Sequence, residues 1–188
     1  MILGTKEDRK LILKILSLAF IENPSTLFVL KRGKKERRIK DLIDYSFNIG
    51  IHKGNIFISD DHKACAIVID SQKKIHWFIQ IKLQVRLIWN VIGLRRLPKV
   101  LKKEKIIHEH HPKIPHLHLW YIGVSTEYQH NGIGTSLLNE ITDYFPKKRP
   151  IVLETSIDEN INFYKKNGFK HHKSLQINSH KVHLLSNI

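Results

Sequence analysis

The chain has 188 residues, enough for one domain with a full core, and its 41% hydrophobic and 26% charged residues exclude a disordered or fibrous chain. One cysteine, Cys65, excludes an internal disulfide framework and suits a reducing, cytoplasmic setting. The formal net charge of +15 is uneven: residues 1–118 carry 24 Lys/Arg against 11 Asp/Glu, and residues 119–188 carry 8 against 6.

The first residues contain no apolar core of a secretory signal, and no segment approaches the roughly 18 apolar residues that a membrane helix needs. No membrane partner is expected. The basic excess is densest in KRGKKERRIK (31–40) and RRLPKVLKKEK (95–105). Neither run is interleaved with aromatics as a base-stacking surface would be, so solvated helix faces are the simpler reading and a nucleic-acid partner is not expected.

In chain order, Ile2-Leu3 reads as a short strand. Thr5 with Asp8 resembles a helix start, and Leu11, Ile12, Ile15, Leu16 and Ala19 follow at helical spacing until Asn23-Pro24 ends the helix. Residues 38–49 form a second helix with Ile39, Leu42, Ile43 and Phe47 on one side. Residues 55–59 and 64–70 form a hairpin turned at Asp60-Asp61-His62. Residues 75–105 are mostly helical, with Leu83, Leu87, Ile88, Val91 and Ile92 as the apolar stripe, and Pro98 breaks or restarts the run. Two prolines hold HEHHPKIPH (108–116) extended.

Residues 117–124 are apolar on both faces and read as a central strand. Residues 133–145 are a helix with Ile133, Leu137, Leu138 and Ile141 inward. Residues 151–155 are a strand, and residues 160–167 a short helix stopped by Gly168. Two strands, 169–177 and 181–185, close around Asn178-Ser179. The order β-α-α-β-β, helices, β-α-β-α-β-β implies a mixed α/β domain.

Between the central strand and the helix lies QHNGIG (129–134). The first N–H groups of a helix have no intrahelical partner, the helix dipole adds positive character, and glycines admit close approach, so such a loop can seat a phosphate. It is not a P-loop, since no Gly-x-x-x-x-Gly-Lys-Ser/Thr is present. Nor is it a dinucleotide fingerprint, since Leu137 stands where the third glycine belongs.

The pattern Gln129-x-x-Gly132-x-Gly134, five residues after a strand-terminal valine, resembles the Gln/Arg-x-x-Gly-x-Gly/Ala signature of the GNAT superfamily of acetyl-CoA-dependent N-acetyltransferases. LHLWYIGVSTEYQ before it and LETSIDENINFYKKNGF (153–169) after it are similar to the family's neighbouring strands and helix. The likeness covers about residues 116–172, and the LET…N…FY…GF form is similar to the puromycin-acetyltransferase-like branch.

The resemblance implies a mixed, mostly antiparallel central sheet flanked by helices and splayed between its fourth and fifth strands. It implies one N-acetyltransferase domain over 1–188, with acceptor-side elements in 1–115, an acetyl-CoA core in 116–172 and a C-terminal strand pair in 169–188. The co-substrate would be acetyl-CoA, the acceptor a primary amine of a small molecule or peptide, and the protein a monomer or homodimer. Backbone N–H groups of Gln129, His130, Asn131, Gly132, Ile133, Gly134 and Thr135 would hold the pyrophosphate. Ile122 and Val124 would pair with the pantetheine arm, helped by a bulge expected at Gly123. Asn160 would contact the cofactor. A strand N–H near Ile122 would polarise the thioester.

Tyr164 matches the family's acid for the leaving thiolate, and Glu154 is the expected general base, with Glu127 and His118 behind it. Cys65 lies in an apolar strand, so direct transfer in a ternary complex is expected rather than an acetyl-cysteine. His108, His110, His111, His116 and His118 fall within eleven residues, but their spacing is not that of a zinc site and no metal is expected. Two other functions fit parts of the sequence: a non-catalytic acyl-CoA-binding domain of the same fold, and a nucleic-acid-associated protein using the basic fore part.

Overall fold

A computed structural model describes residues 1–146, 148–177 and 180–188, the side chain of His180 excepted. The expected turn at Asn178-Ser179 lies outside the described residues. The elements are β1 (Ile2–Leu3), α1 (Arg9–Ala19), α2 (Pro24–Val29), α3 (Lys35–Lys53), β2 (Gly54–Ile58), β3 (Ala64–Asp70), α4 (Trp77–Leu87), a π-helical turn (Ile88–Ile92), α5 (Leu97–Glu109), β4 (Leu117–Val124), a 3₁₀ turn (Thr126–Tyr128), α6 (Ile133–Tyr144), β5 (Ile151–Thr155), α7 (Asp158–Lys166), β6 (Lys170–Ile177) and β7 (His180–Ser186).

The strands form one mixed sheet in the order β1-β2-β3-β4-β5-β7-β6, with β4 and β5 parallel and every other pair antiparallel. Strand β3 is buried along its whole length, and alternation explains how. Cys65, Ile67 and Ile69 join Ile12, Leu16, Ile39 and Phe47 of α1 and α3 in one core layer. Ala64, Ala66 and Val68 join Leu137, Leu138 and Ile141 of α6 in the other. The sheet is thus covered by helices on both faces, as expected.

Three local readings are refined. Asn23-Pro24 does not only end α1; it begins α2, with the Asn23 side chain accepting from the Thr26 N–H at 3.1 Å and Pro24 in the first turn, where its missing N–H costs nothing. Helix α3 extends well beyond 38–49 at both ends. Of the two readings of Pro98 the restart holds, since it lies in the first turn of α5, while the break itself falls at Gly93, in a positive-φ conformation (76°).

The bulge in β4 is a correction. Ile67 faces Tyr121 while Val68 faces Leu119, so Trp120 is the extra residue. Gly123 pairs regularly with Cys65. It is glycine because α1 crosses closely: a Cβ there would sit 2.9 Å from Leu16 Cδ2 and 3.0 Å from the Ala19 methyl.

Candidate active site

Strands β4 and β5 pair only through Leu117–Ile151 and His118–Val152. Beyond that point β5 turns to β7 alone, through Leu153, Glu154 and Thr155. The rest of β4, including Ile122 and Val124, loses its β5 neighbour, which is the expected splay. An unpaired strand edge offers N–H and C=O groups to a ligand arm.

The glycine loop stands at the end of that edge. Gly132 has φ 77° and caps α6, and His130 also lies at positive φ (64°). Gly134 has a different reason to be glycine, since a Cβ there would come within 3.3 Å of Val124 Cγ2. The N–H groups of Ile133, Gly134 and Thr135 open the helix, while the first intrahelical bond is Ser136 N–H to Gly132 O at 3.0 Å. Gln129 folds back so that its side-chain amide donates to Val124 O at 3.3 Å. The loop residues Gln129 to Gly132 are exposed and available to an anion.

The bulge decides what faces the other side. Before it, Leu117 and Leu119 join the α6 layer; after it, Ile122 and Val124 pack there while Tyr121 joins the α1/α3 layer. One inserted residue changes the parity of the strand. As a result His118, Trp120 and Tyr121 all line one cavity of about 620 Å³ between the sheet and α2–α5.

At the wall of that cavity Glu154 accepts from two imidazoles, one on each carboxylate oxygen. His118 Nε2 donates to Oε2 at 2.7 Å, and His111 Nε2 donates to Oε1. Burial pushes the Glu154 carboxyl upward, but the charge of His118 and the hydrogen bonds of both rings overcome it and hold the group well below the usual carboxylate range. Burial likewise pulls His118 down, and the charge and hydrogen bond of Glu154 reverse it, leaving His118 above an ordinary histidine. His116 also lines the cavity, binds Ile114 O through Nδ1 at 2.9 Å, and is pulled down by burial.

The structure therefore brings Glu154 together with His118 and adds His111, for which the sequence suggested no individual role. The signal was the histidine-rich 108–118 stretch, but nothing in it points to a carboxylate on another strand. Glu127 lies in the exposed 3₁₀ turn and does not line the cavity. Tyr164 sits on the opposite face of the sheet, buried with Phe169 and Leu153 in the layer that also receives Ile122, Val124 and Ile133. Burial and the Glu154 charge push its phenol far up, so it keeps its proton. Asn160 donates to Thr155 Oγ1 at 3.2 Å and braces the β5–α7 turn. Cys65 is fully buried, and burial drives its thiol upward.

A ring nitrogen of His111, a ring nitrogen of His118 and a Glu154 oxygen lie within 4.8 Å of one another, close enough to hold one divalent cation. The sequence expectation of no metal weighed the histidine loop alone and could not include Glu154. The carboxylate already satisfies both rings by hydrogen bonds. Dialysis against EDTA is therefore expected to leave acetyl-CoA binding and turnover unchanged. A loss of activity restored by zinc would make the trio a metal centre instead.

Residues 91–169 match the model of the acetyltransferase (GNAT) family. Over this segment, 79 of the chain's 188 residues, the sequence is similar to the GNAT acetyltransferase family. The match supports an acyltransferase of a family that uses acetyl-CoA, and the sheet has the GNAT fold. A structure of histone acetyltransferase HPA2 and related acetyltransferase from Corynebacterium glutamicum superposes with a TM-score of 0.74 at 17% identity, over 99% of this chain and 93% of that one. An N-acetyltransferase from Staphylococcus aureus gives 0.60 at 16% identity over 99% and 100%. Naa50 from Arabidopsis thaliana, solved with the bisubstrate analogue CoA-Ac-MVNAL, gives 0.53 at 17% identity over 97% and 94%. At these identities the likeness speaks to the fold.

Proposed function

We propose that this GNAT protein transfers an acetyl group from acetyl-CoA to a primary amine of a small molecule or peptide, by direct attack in a ternary complex. The observation that carries the reading is the Glu154–His118 pair on the cavity side of the β4/β5 splay, opposite the glycine loop and Tyr164. Naa50, of similar fold, is solved with the bisubstrate analogue CoA-Ac-MVNAL, which fits a reading in which cofactor and acceptor are bound together.

In this reading the loop from Gln129 to Thr135 holds the pyrophosphate on backbone N–H groups, and the free edge of β4 at Ile122 and Val124 pairs with the pantetheine arm. Asn160 borders the cofactor from the β5–α7 turn. The ammonium form of the acceptor enters the cavity. Its proton passes to neutral His118, whose Nε2–H is already committed to Glu154, so Nδ1 is the basic atom. Glu154 is too strongly held as a carboxylate to be the proton acceptor itself; it orients the ring and stabilises the imidazolium.

The amine nitrogen then attacks the thioester carbon. The carbonyl π-pair moves to oxygen, where a β4 N–H near Ile122 stabilises it. Collapse breaks the C–S bond, the thiolate takes the Tyr164 proton, and the nitrogen's second proton passes through solvent to restore the tyrosine, so that the amide, the thiol and one proton held on His118 remain. Cys65, buried and protonated, takes no part.

Thermal unfolding with acetyl-CoA, free CoA and ATP tests the cofactor side. Acetyl-CoA at about 100 times its Kd stabilises by ~2.7 kcal/mol, a rise of roughly 5–10 °C in Tm for a chain of this size, whereas ATP is expected to give none. Thiol release with a panel of primary amines tests the chemistry. Tight CoA binding with no turnover on any amine would make the protein a non-catalytic acyl-CoA binder.

A further inference from the structure

Helix α4 is unusual because none of its residues is buried. Its Leu83 and Leu87 rest against the α1/α3 core layer, but a second apolar stripe faces outward. Trp77, Ile81, Val85 and Trp89 recur every four residues and are 57%, 50%, 60% and 72% exposed; Phe78 and Leu94 extend the stripe at 61% and 69%. Spacing of four keeps these side chains on one side of the helix. So large a contiguous apolar surface marks an interaction site.

The charge around it is mostly basic, although Arg86 pairs with Asp44 at 3.0 Å and Lys103 is buried. Between Asp70 and Glu104 the chain has nine Lys/Arg (73, 74, 82, 86, 95, 96, 99, 102 and 103) and no Asp or Glu. The tertiary structure adds the start of the other basic run. Lys31 donates through Nζ to Trp89 O at 2.5 Å and through its N–H to Val91 O at 2.8 Å, and the Arg96 guanidinium donates to Leu30 O. Arg32, Arg95 and Lys99 therefore meet Trp89 and Leu94 around one groove. The two basic runs, some sixty residues apart in sequence, flank the exposed stripe.

We propose that this face docks onto an anionic phospholipid surface, with the Trp77–Trp89 stripe in the headgroup–acyl boundary and the surrounding Lys and Arg on lipid phosphates. Indole rings partition to that boundary, aliphatic Ile81, Val85 and Leu94 gain by leaving water, and basic side chains are drawn to anionic headgroups. A second copy is disfavoured because a two-fold contact would set a basic rim against itself in a chain of net charge +15. Nucleic acid is disfavoured because Ile81, Val85 and Leu94 neither stack on bases nor bond to phosphate. No described helix is long and apolar enough to cross a membrane, and a helix lying in the interface does not need to be. The expectation of no membrane partner considered only spanning. The docking face is separate from the proposed acetyl-transfer site: Trp77, Ile81, Val85 and Trp89 do not line the cavity.

The test is co-sedimentation with phosphatidylcholine vesicles containing roughly one-third phosphatidylglycerol, beside pure phosphatidylcholine vesicles, with tryptophan emission as a second readout. The protein is expected to bind the anionic vesicles with a blue shift in emission, and the neutral ones at least tenfold more weakly. The pair Trp77→Ser and Trp89→Ser is expected to weaken vesicle binding by at least tenfold, and so is Arg95→Glu with Lys99→Glu. Both pairs are exposed and are expected to keep the wild-type Tm and its shift with acetyl-CoA. No binding to anionic vesicles at low salt would overturn the proposal. So would binding that the tryptophan pair leaves intact, a dimer in analytical ultracentrifugation that the same pair dissolves, or RNA binding that the same pair abolishes.

Discussion

Replacing His118 with alanine is expected to lower kcat/KM for amine acetylation by roughly 10²–10³-fold while leaving acetyl-CoA affinity unchanged. The ring is the proposed proton acceptor and lines the cavity proposed for the acceptor, whereas the helix that follows the glycine loop proposed for the cofactor packs on the other face of the sheet. Glu154→Gln is expected to cost a similar factor, because the amide keeps the shape but not the charge that stabilises an imidazolium. The two groups act as a unit, so the double variant should be little worse than either single one.

The pH profile separates this role from a structural one. Glu154 holds His118 above the ordinary histidine value near 6.5. The ring is a base only when neutral, so wild-type kcat/KM should rise with pH through a limb centred above that value. In Glu154→Gln the raising cause is gone while burial still lowers the ring, so the limb should move to lower pH. The amine's own ionisation sets a second limb at higher pH that the substitution leaves in place. An acidic limb that does not move would remove His118 from the proton path.

Gly54→Ala is expected to destabilise the protein by about 3 kcal/mol or more, lowering Tm by roughly 6–12 °C, or to prevent soluble expression. Helix α3 passes into β2 with no intervening loop, and the residue at the junction lies against β3. A Cβ at Gly54 would stand 1.9 Å from the Val68 carbonyl oxygen and 2.9 Å from its carbon, both backbone atoms that no rotamer change can move. Relief would require sliding β2 along β3 or lifting α3 from the sheet. Leu42, Tyr45 and Lys53 of α3 line the cavity, so any surviving protein should also bind its acceptor poorly. Thermal melts of wild type and variant check the first effect. An unchanged Tm would mean that the junction relaxes freely.

Much of the fold was legible because the signals are local. Helix α6 and its glycine entry, the β2–β3 hairpin and the Gly168 stop each rest on periodicity or on φ preferences within a few residues. Asn23-Pro24 was read as an end when it is also a beginning, since an Asn cap followed by Pro serves either purpose until the next turn is seen. Helix α4 misled in another way. It carries two apolar stripes, and from periodicity the Leu83–Leu87 side could be assigned to the core while nothing marked the Trp77–Trp89 side as left in solvent. The bulge was expected at Gly123, the residue most permissive of one, but it falls at Trp120. Gly123 is needed instead to let α1 approach.

The sequence by itself determined the order of elements, the glycine loop between β4 and α6, and the family likeness of residues 116–172. All of these depend on residues near one another along the chain. The tertiary structure alone decided which groups meet. A single inserted residue reversed the parity of β4 and turned His118, Trp120 and Tyr121 into one cavity. The divergence of β5 placed Glu154 against two histidines that lie 36 and 43 positions away. Packing of α2 and α3 carried the basic run at 31–40 to the exposed tryptophans of the α4 segment. Side-chain encounters of this kind are set by strand register and helix docking, which long-range burial selects and no short window of sequence contains.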